Sequence, residues 1–327
     1  GSLVSSALDI PFVFTGHSLG REKKRQLLGS GMTHDQIEKN YSITRRIEAE
    51  ELALETANLI VTSTEQESKT QYARYRNFSS ANAKVIEPGV DLKKFHPIQD
   101  PAENFEIDQL FSSFLRKPSL PPLLAISRAV KRKNIPALLE VFGRSSFLRS
   151  RYNLILILGN RDDVRQLDKQ QKDVFQEIFE IIDNYNLYGH VALPKNHTRN
   201  QIPKVYRWAA SRKGFFVNPA LTEPFGLTLI EAAACGLPMV ATNDGGPSEI
   251  LSKCSNGMLV DVSDLDLFQK TLEKAGSNQY LWNHWSNNAL EGISNHFSWK
   301  AHVSKYISLM TSKKVSNLLH FSSIKAS

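Results

Sequence analysis

Short, unbroken apolar runs recur along the chain, separated by longer stretches in which apolar residues fall every three or four positions. Residues 10–15, 59–62, 84–86, 123–127, 154–158, 191–193, 214–217 and 238–241 predict strands. A run that is aliphatic throughout, such as 154–158, predicts a strand buried on both faces, as in parallel sheets. Between the runs, residues 36–57, 65 to about 75, 136–142 and 164–185 predict helices. Val174, Phe175, Ile178, Phe179, Ile181 and Ile182 lie at helical spacing, and Pro136 suits a first helical position. The alternation predicts an α/β fold with doubly wound, mostly parallel sheets. Residues 1–94 form a first, smaller Rossmann-like domain, and the polar, proline-punctuated stretch 95–119 reads as a linker. Residues 120–300 form a complete Rossmann-like domain, and 301–327 a C-terminal helix and tail.

Composition narrows the class. The 327 residues are 41% apolar, as in soluble globular proteins. The longest apolar runs are far too short to cross a bilayer. Residues 1–30 carry Arg21, Lys23, Lys24 and Arg25 without an apolar core followed by a small-residue cleavage site, so no signal peptide is expected. Two cysteines, Cys235 and Cys254, fit a reducing, cytoplasmic setting better than a disulfide framework. The net charge of +7 favours anionic ligands. Basic residues are spread without the aromatic-rich repeats of RNA-binding sheets, so nucleic acid is not the expected partner.

The most informative segment is Glu223-Pro-Phe-Gly-Leu-Thr-Leu-Ile-Glu231. Two carboxylates stand eight apart across a Pro-Phe-Gly turn that leads into an Ala-rich helical stretch. Gly226 permits close backbone approach, and the first amides of a helix point outward, suiting a diphosphate. Thr228 and Glu231 share a helix face. The alternative is a capping box, T-x-x-E, that merely starts the helix. A second cluster, Ser127-Arg128-Ala-Val-Lys131-Arg132-Lys133-Asn134, lies between a predicted strand and helix, where doubly wound folds bind phosphates; the alternative is an exposed basic loop. Gly16-His17-Ser18-Leu19-Gly20-Arg21 follows the first strand. Gly159-Asn-Arg-Asp-Asp163 reads as a polar turn capping the next helix as readily as a ligand contact, and Asp244-Gly-Gly-Pro-Ser-Glu249 reads foremost as a structural turn. His190 and His197 lack the clustered partners of a metal site.

The stretch from Asn218 to Ala234 carries the E-x7-E element of retaining nucleotide-sugar glycosyltransferases of the GT-B fold, family 4, and is most similar to the sucrose-phosphate synthases. The resemblance implies two Rossmann-like domains and transfer of glucose from UDP-glucose to fructose 6-phosphate, with no metal or other cofactor in the site. Arg128 and Lys133 match the R-x4-K pattern that contacts the donor diphosphate, where fixed cations stabilise the charge left on UDP. Glu231 would hold the ribose and Glu223 the glucosyl hydroxyls, with Phe225 and Gly226 offering amides to the sugar and Leu227 and Thr228 serving the diphosphate. Backbone groups of Leu193, Pro194 and Lys195 would lie beside the uracil. His17 would orient the transferred sugar, which makes His17, Glu223, Arg128 and Lys133 the catalytic set. Ser18, Lys23, Arg45 and Arg46 would receive the acceptor's phosphate, although pairing of both arginines with the acids at 48–51 of their own helix is the competing reading. The first ninety-odd residues supply about half the units of such an acceptor domain, and the family's glycine-rich loop has no counterpart in them, so that domain is expected to be partial. Sucrose synthase, a mannosyltransferase and a non-catalytic UDP-sugar-binding module are the rival readings.

Overall fold

The structure, a computed structural model, describes residues 1–16 and 18–311. Two compact units are present: Gly1–Pro88 together with the chain from Lys300, and Gly89–Trp299.

In the first unit three parallel strands, β1 (Val13–Thr15), β2 (Leu59–Thr62) and β3 (Ala83–Val85), lie in the order β1-β2-β3. All four residues of β2 are buried, because successive side chains point to opposite faces and both faces are covered. Ile60 packs with Leu19, Leu54, Ala57, Tyr72 and Tyr75. Leu59 and Val61 pack with Ile86, Val13 and two residues of the Trp299–Thr311 helix, Tyr306 and Leu309. The same helix is fastened to this unit by Lys305 Nζ, 2.5 Å from Glu87 Oε2, and by His302 Nδ1, 2.8 Å from the Glu87 carbonyl oxygen.

The predicted helix over 36–57 is two helices, His34–Tyr41 and Ile43–Thr56, broken at Ser42, whose φ is 44°. Burial explains the break. Ile37 and Ile43, six positions apart, would point about 120° away from each other on one continuous helix, yet both are fully buried. Glu38 caps the second helix by accepting from Thr44 N (3.0 Å) and Thr44 Oγ1 (2.8 Å). A further helix, Gly20–Gly29, escapes the hydrophobic pattern because it buries only Gly20.

The second unit contains six parallel strands: β4 (Pro122–Ile126), β5 (Asn153–Ile157), β6 (Val191–Ala192), β7 (Phe215–Asn218), β8 (Met239–Thr242) and β9 (Gly257–Val260). Their order is β6-β5-β4-β7-β8-β9. The chain therefore builds outward from β4 in one direction, returns to β7 and builds outward in the other. Alternate strand residues feed two cores: Leu124, Ile155, Phe216 and Met239 on one face, Leu123, Leu154, Phe215 and Val240 on the other. The β9 strand was not predicted; it is short and begins at Gly257, where a Cβ would stand 1.9 Å from the Met239 carbonyl oxygen.

The expected linker over 95–119 is corrected. It contains the Glu103–Ser112 helix, in which Ile107 and Phe111 are buried. Phe111 packs on Trp208 with ring centroids 5.1 Å apart, and Asp108 accepts from Trp208 Nε1 (2.7 Å) and Arg212 Nη2 (2.6 Å). One helix with so few apolar positions cannot sustain a readable period, although its contacts make it part of the second unit. The first unit accordingly ends at Pro88 rather than residue 94, and the chain from Lys300 joins it.

Replacing Phe111 by alanine should destabilise the second unit by about 3–5 kcal/mol, whereas Phe105→Ala, at a site 68% exposed, should change stability by less than about 0.5 kcal/mol. Urea denaturation of both variants checks this; equal effects would contradict packing of this helix.

Candidate active site

Where strand order reverses, two parallel neighbours send their chains to opposite faces, and a crevice opens at their carboxyl ends. Here the neighbours are β4 and β7. The helix that follows β4, Ile135–Arg144, packs its Leu138, Leu139 and Phe142 into one core. The helix that follows β7, Leu227–Ala234, packs Leu229 and Ile230 into the other. Ile126, Ser127, Lys133, Asn218 and Pro219 line a small cavity between the strand ends.

Both predicted motifs meet there. Lys131–Lys133 form one 3-10 turn, and Leu221 N donates to the Arg132 carbonyl at 2.9 Å, tying the two loops together. Lys133 Nζ forms an ion pair with Glu223 Oε2, both side chains being largely buried. Asn218 Nδ2 donates to the same oxygen at 3.1 Å. The Glu223 backbone is clamped by the loop after β8: its N–H donates to the Asp244 carbonyl (3.1 Å) and its carbonyl accepts from Gly246 N (2.9 Å). Gly245 is required at that crossing, because its φ is 106° and a Cβ would come within 2.0 Å of the Glu223 oxygen. Arg128 is exposed, and its guanidinium has no hydrogen-bond or ion-pair partner among the described residues.

The capping-box alternative does not survive. The helix cap is Gly226, with φ 102° and no side chain to offer, and Thr228 is already the second helical residue. The first-turn amides of Leu227 and Thr228 thus face outward without intrahelical acceptors. Phe225 is a core residue against Phe297, and its backbone packs against Gly246, where a Cβ would come within 2.2 Å of the Phe225 carbonyl oxygen. Less than one turn beyond Thr228, Glu231 accepts from Tyr206 Oη at 3.4 Å. Burial pushes the Glu231 carboxyl up to about 7, against the opposing effects of the Tyr206 hydroxyl and the Lys94 ammonium. Lys94 was not foreseen. It sits in the stretch read as a domain boundary, where Arg207 Nη1 holds its carbonyl at 3.1 Å.

Leu193, Pro194 and Lys195 follow β6. Their carbonyls accept from Arg161: Nη2 to Leu193 (3.2 Å), Nη1 to Pro194 (3.2 Å) and backbone N to Lys195 (2.9 Å). Arg161 is buried and stacks over Phe175 at 4.5 Å. A charged residue between Asn160 and Asp162 carries no sign in sequence that it will be buried, so its role was missed.

Residues 107–292 match the family of glycosyl transferases group 1. The chain belongs to this family. It is 39% identical to sucrose-phosphate synthase 4 of Arabidopsis thaliana over 345 residues, covering 93% of this chain and 33% of that protein. It is likewise 39% identical to the sucrose-phosphate synthase of Spinacia oleracea over 352 residues, covering 96% and 33%. The chain thus spans about a third of the length of the curated relatives it matches. Among solved structures it is similar to the sucrose-phosphate synthase of Thermosynechococcus elongatus, with a TM-score of 0.69 at 23% identity over 94% of this chain and 70% of that one. Anabaena HepE in complex with UDP-glucose gives a TM-score of 0.70 at 18% identity, over 95% and 75%. These likenesses show the GT-B fold, and the expectations of fold, family and enzyme class are borne out.

In this glycosyltransferase the first unit holds the remaining candidate residues. His17 lies outside the described residues. The loop around it is anchored on both sides: Gly16 N donates to Tyr72 Oη (2.9 Å), Gly20 N to Glu50 Oε2 (2.8 Å) and Arg21 N to Tyr75 Oη (3.0 Å). Arg46 donates through Nε to Glu50 Oε1 at 3.0 Å and through Nη2 to the Ser18 carbonyl. Arg46 is therefore the arginine engaged on its own helix, and Arg45 is the exposed one. Lys23 stands over the Tyr41 ring at 4.0 Å. Among the described residues no helix is long and apolar enough to cross a membrane.

Glu231 makes the enzyme's stability depend on pH. A carboxyl raised from 4.5 to about 7 contributes stability that is present below pH 4.5 and lost as pH rises through 7. Glu231→Gln removes that penalty. Its stability should match the unmutated chain near pH 4.5 and exceed it above pH 7 by at most about 3 kcal/mol. Denaturation series across this range test the sign.

Proposed function

We propose that this chain carries the transfer site of a retaining glucosyltransferase that moves glucose from UDP-glucose to the C2 hydroxyl of fructose 6-phosphate, giving sucrose 6-phosphate and UDP. The observation that carries the reading is the charge arrangement at the strand-order reversal: Lys133 paired with Glu223, the exposed Arg128 in the same loop as Lys133, and the open amides of Leu227 and Thr228 leading to Glu231. A diphosphate between Arg128, Lys133 and the helix N-terminus would meet two cations and a favourable dipole. Glu231 would then accept from the ribose hydroxyls, and Glu223 from the glucosyl hydroxyls. The uracil would lie against the backbone of Leu193 to Lys195, held in shape by Arg161. The sucrose-phosphate synthase relatives and the UDP-glucose bound by HepE support this choice of donor and acceptor.

In the reaction, the bond between the anomeric carbon and the UDP β-phosphate oxygen breaks, and negative charge collects on the phosphate. Arg128 and Lys133 stabilise that charge as it forms. The acceptor oxygen attacks from the same face, and its proton passes to the departing phosphate oxygen, so configuration is retained. Glu223 offsets the positive charge developing on the sugar, and His17 orients the ring. The cations of the chain supply the charge stabilisation, so the reading takes the transfer to run without a metal. On the acceptor side, Ser18, Lys23, Arg45 and Arg46 would receive the 6-phosphate, the exposed Arg45 and the ammonium of Lys23 being the mobile contacts. A UDP-sugar-binding module without turnover is the second reading, favoured by a first unit whose described sheet has three strands where that of the second has six.

Isothermal titration with UDP tests the donor site. Arg128→Ala and Lys133→Ala should each weaken binding by about 1.5–3 kcal/mol, and Lys131→Ala, whose side chain is exposed, should change it little. Equal losses at Lys131 and Lys133 would mean that bulk charge alone attracts the nucleotide.

Acceptor kinetics separate the enzyme readings. An active protein should prefer fructose 6-phosphate over fructose, and Lys23→Ala or a paired Arg45/Arg46→Ala change should erode that preference, because free fructose leaves the phosphate contacts empty. Equal efficiency with both acceptors in the unmutated protein would favour the sucrose-synthase reading. UDP binding without any turnover would favour the binding module.

A further inference from the structure

Glu223 Oε2 is shared. It accepts from Lys133 Nζ and from Asn218 Nδ2, and Oε1 has no hydrogen-bond partner among the described residues. The Lys133 ammonium is therefore engaged with a carboxylate in this structure, whereas the proposed donor complex needs it on the diphosphate. The two demands conflict. Binding has to draw Lys133 from Glu223, and the carboxylate, on a side chain only 10% exposed, would lose its cation in a place where water is a poor substitute.

Asn218 is built to meet that cost. It is the last residue of β7 and only 6% exposed. Its side-chain oxygen accepts from the Ala220 backbone N–H at 3.1 Å, and a backbone N–H can only donate. That contact fixes which atom of the amide is oxygen and leaves the NH2 group facing Glu223. The Glu223 main chain is independently held by Asp244 and Gly246. We infer that Asn218 is a positioning residue of the donor site: its amide holds and solvates Glu223 while Lys133 changes partner from that carboxylate to the donor's diphosphate. The carboxylate then stays in place for the sugar, and the exchange costs little. This inference rests on the donor-site reading above and adds to it a residue that need not touch the nucleotide.

A binding cycle with UDP as the probe tests it on the whole chain. Glu223→Gln should tighten UDP, since Lys133 is no longer held by a carboxylate. Asn218→Ala should weaken UDP about tenfold, because Glu223 then depends on Lys133 alone. In the Glu223→Gln background the same Asn218→Ala change should shift UDP affinity less than about twofold, because no buried charge is left to solvate. A structural role for Asn218 would act alike in both backgrounds, so equal losses overturn the inference, as does an unchanged affinity in the single variant. Where Asn218→Ala does not fold, Asn218→Asp keeps the Ala220 contact and replaces the donor by an acceptor. It should weaken UDP by more than tenfold, and an unchanged affinity there overturns the inference equally. Absence of UDP binding by the unmutated chain would overturn the donor-site reading itself, an outcome distinct from a failed cycle.

Discussion

Two neighbouring parallel strands, β4 and β7, lead into helices on opposite faces of one sheet, and the rest of the second unit depends on this. Because Ile135–Arg144 belongs to one core and Leu227–Ala234 to the other, neither helix can close over the strand ends between them. The gap receives the start of one helix, the basic turn after β4 and the acidic turn after β7. Fold and site are thus one consequence of strand order: with β7 on the far side of β6, Lys133 and Glu223 could not meet.

A buried ion pair is weak evidence for stability, since well-packed apolar residues often do as well. Lys133 and Glu223 lie 90 positions apart in sequence, and three further contacts surround their pairing. Asn218 holds the carboxylate, Leu221 ties the two loops, and the loop carrying Asp244 and Gly246 clamps the Glu223 backbone. So much local structure around an arrangement of doubtful stabilising value is characteristic of a site built for chemistry, where strain and polarity are retained for function.

Sequence patterns made much of this architecture legible. Runs such as Leu154–Ile157 of β5 and Phe215–Val217 of β7 are aliphatic or aromatic throughout because both faces of the sheet are covered, and Pro136 marked a helix start. The carboxylates at 223 and 231 and the cations at 128 and 133 stand out because their spacing resembles a family motif; the residues alone leave a capping box and an exposed basic loop open. Other features depend on contacts made after folding. The break at Ser42 follows from burying both Ile37 and Ile43, which a periodic reading cannot separate from one long helix. The Glu103–Ser112 helix needs Trp208 and Arg212, about a hundred residues away, to reveal its packed face. Arg161 and Lys94 look like ordinary surface charges until the loops around them are in position.

The two carboxylates of the E-x7-E element stand eight residues apart and live under opposite conditions. Glu223 has a cation and an amide on one oxygen. Glu231 has a long contact from one phenol and is otherwise desolvated, which is why its carboxyl rises to about 7. Beyond the Tyr206 hydroxyl, Glu231 has no hydrogen-bond donor among the described residues, and the 2′- and 3′-hydroxyls of a ribose are donors. In the proposed complex the nucleotide would bring to Glu231 what the protein withholds and stabilise its charged form, while at Glu223 it would remove the cation that the protein supplies. The same ligand would satisfy one carboxylate and strip the other, and the Asn218 amide stands on the carboxylate that is stripped.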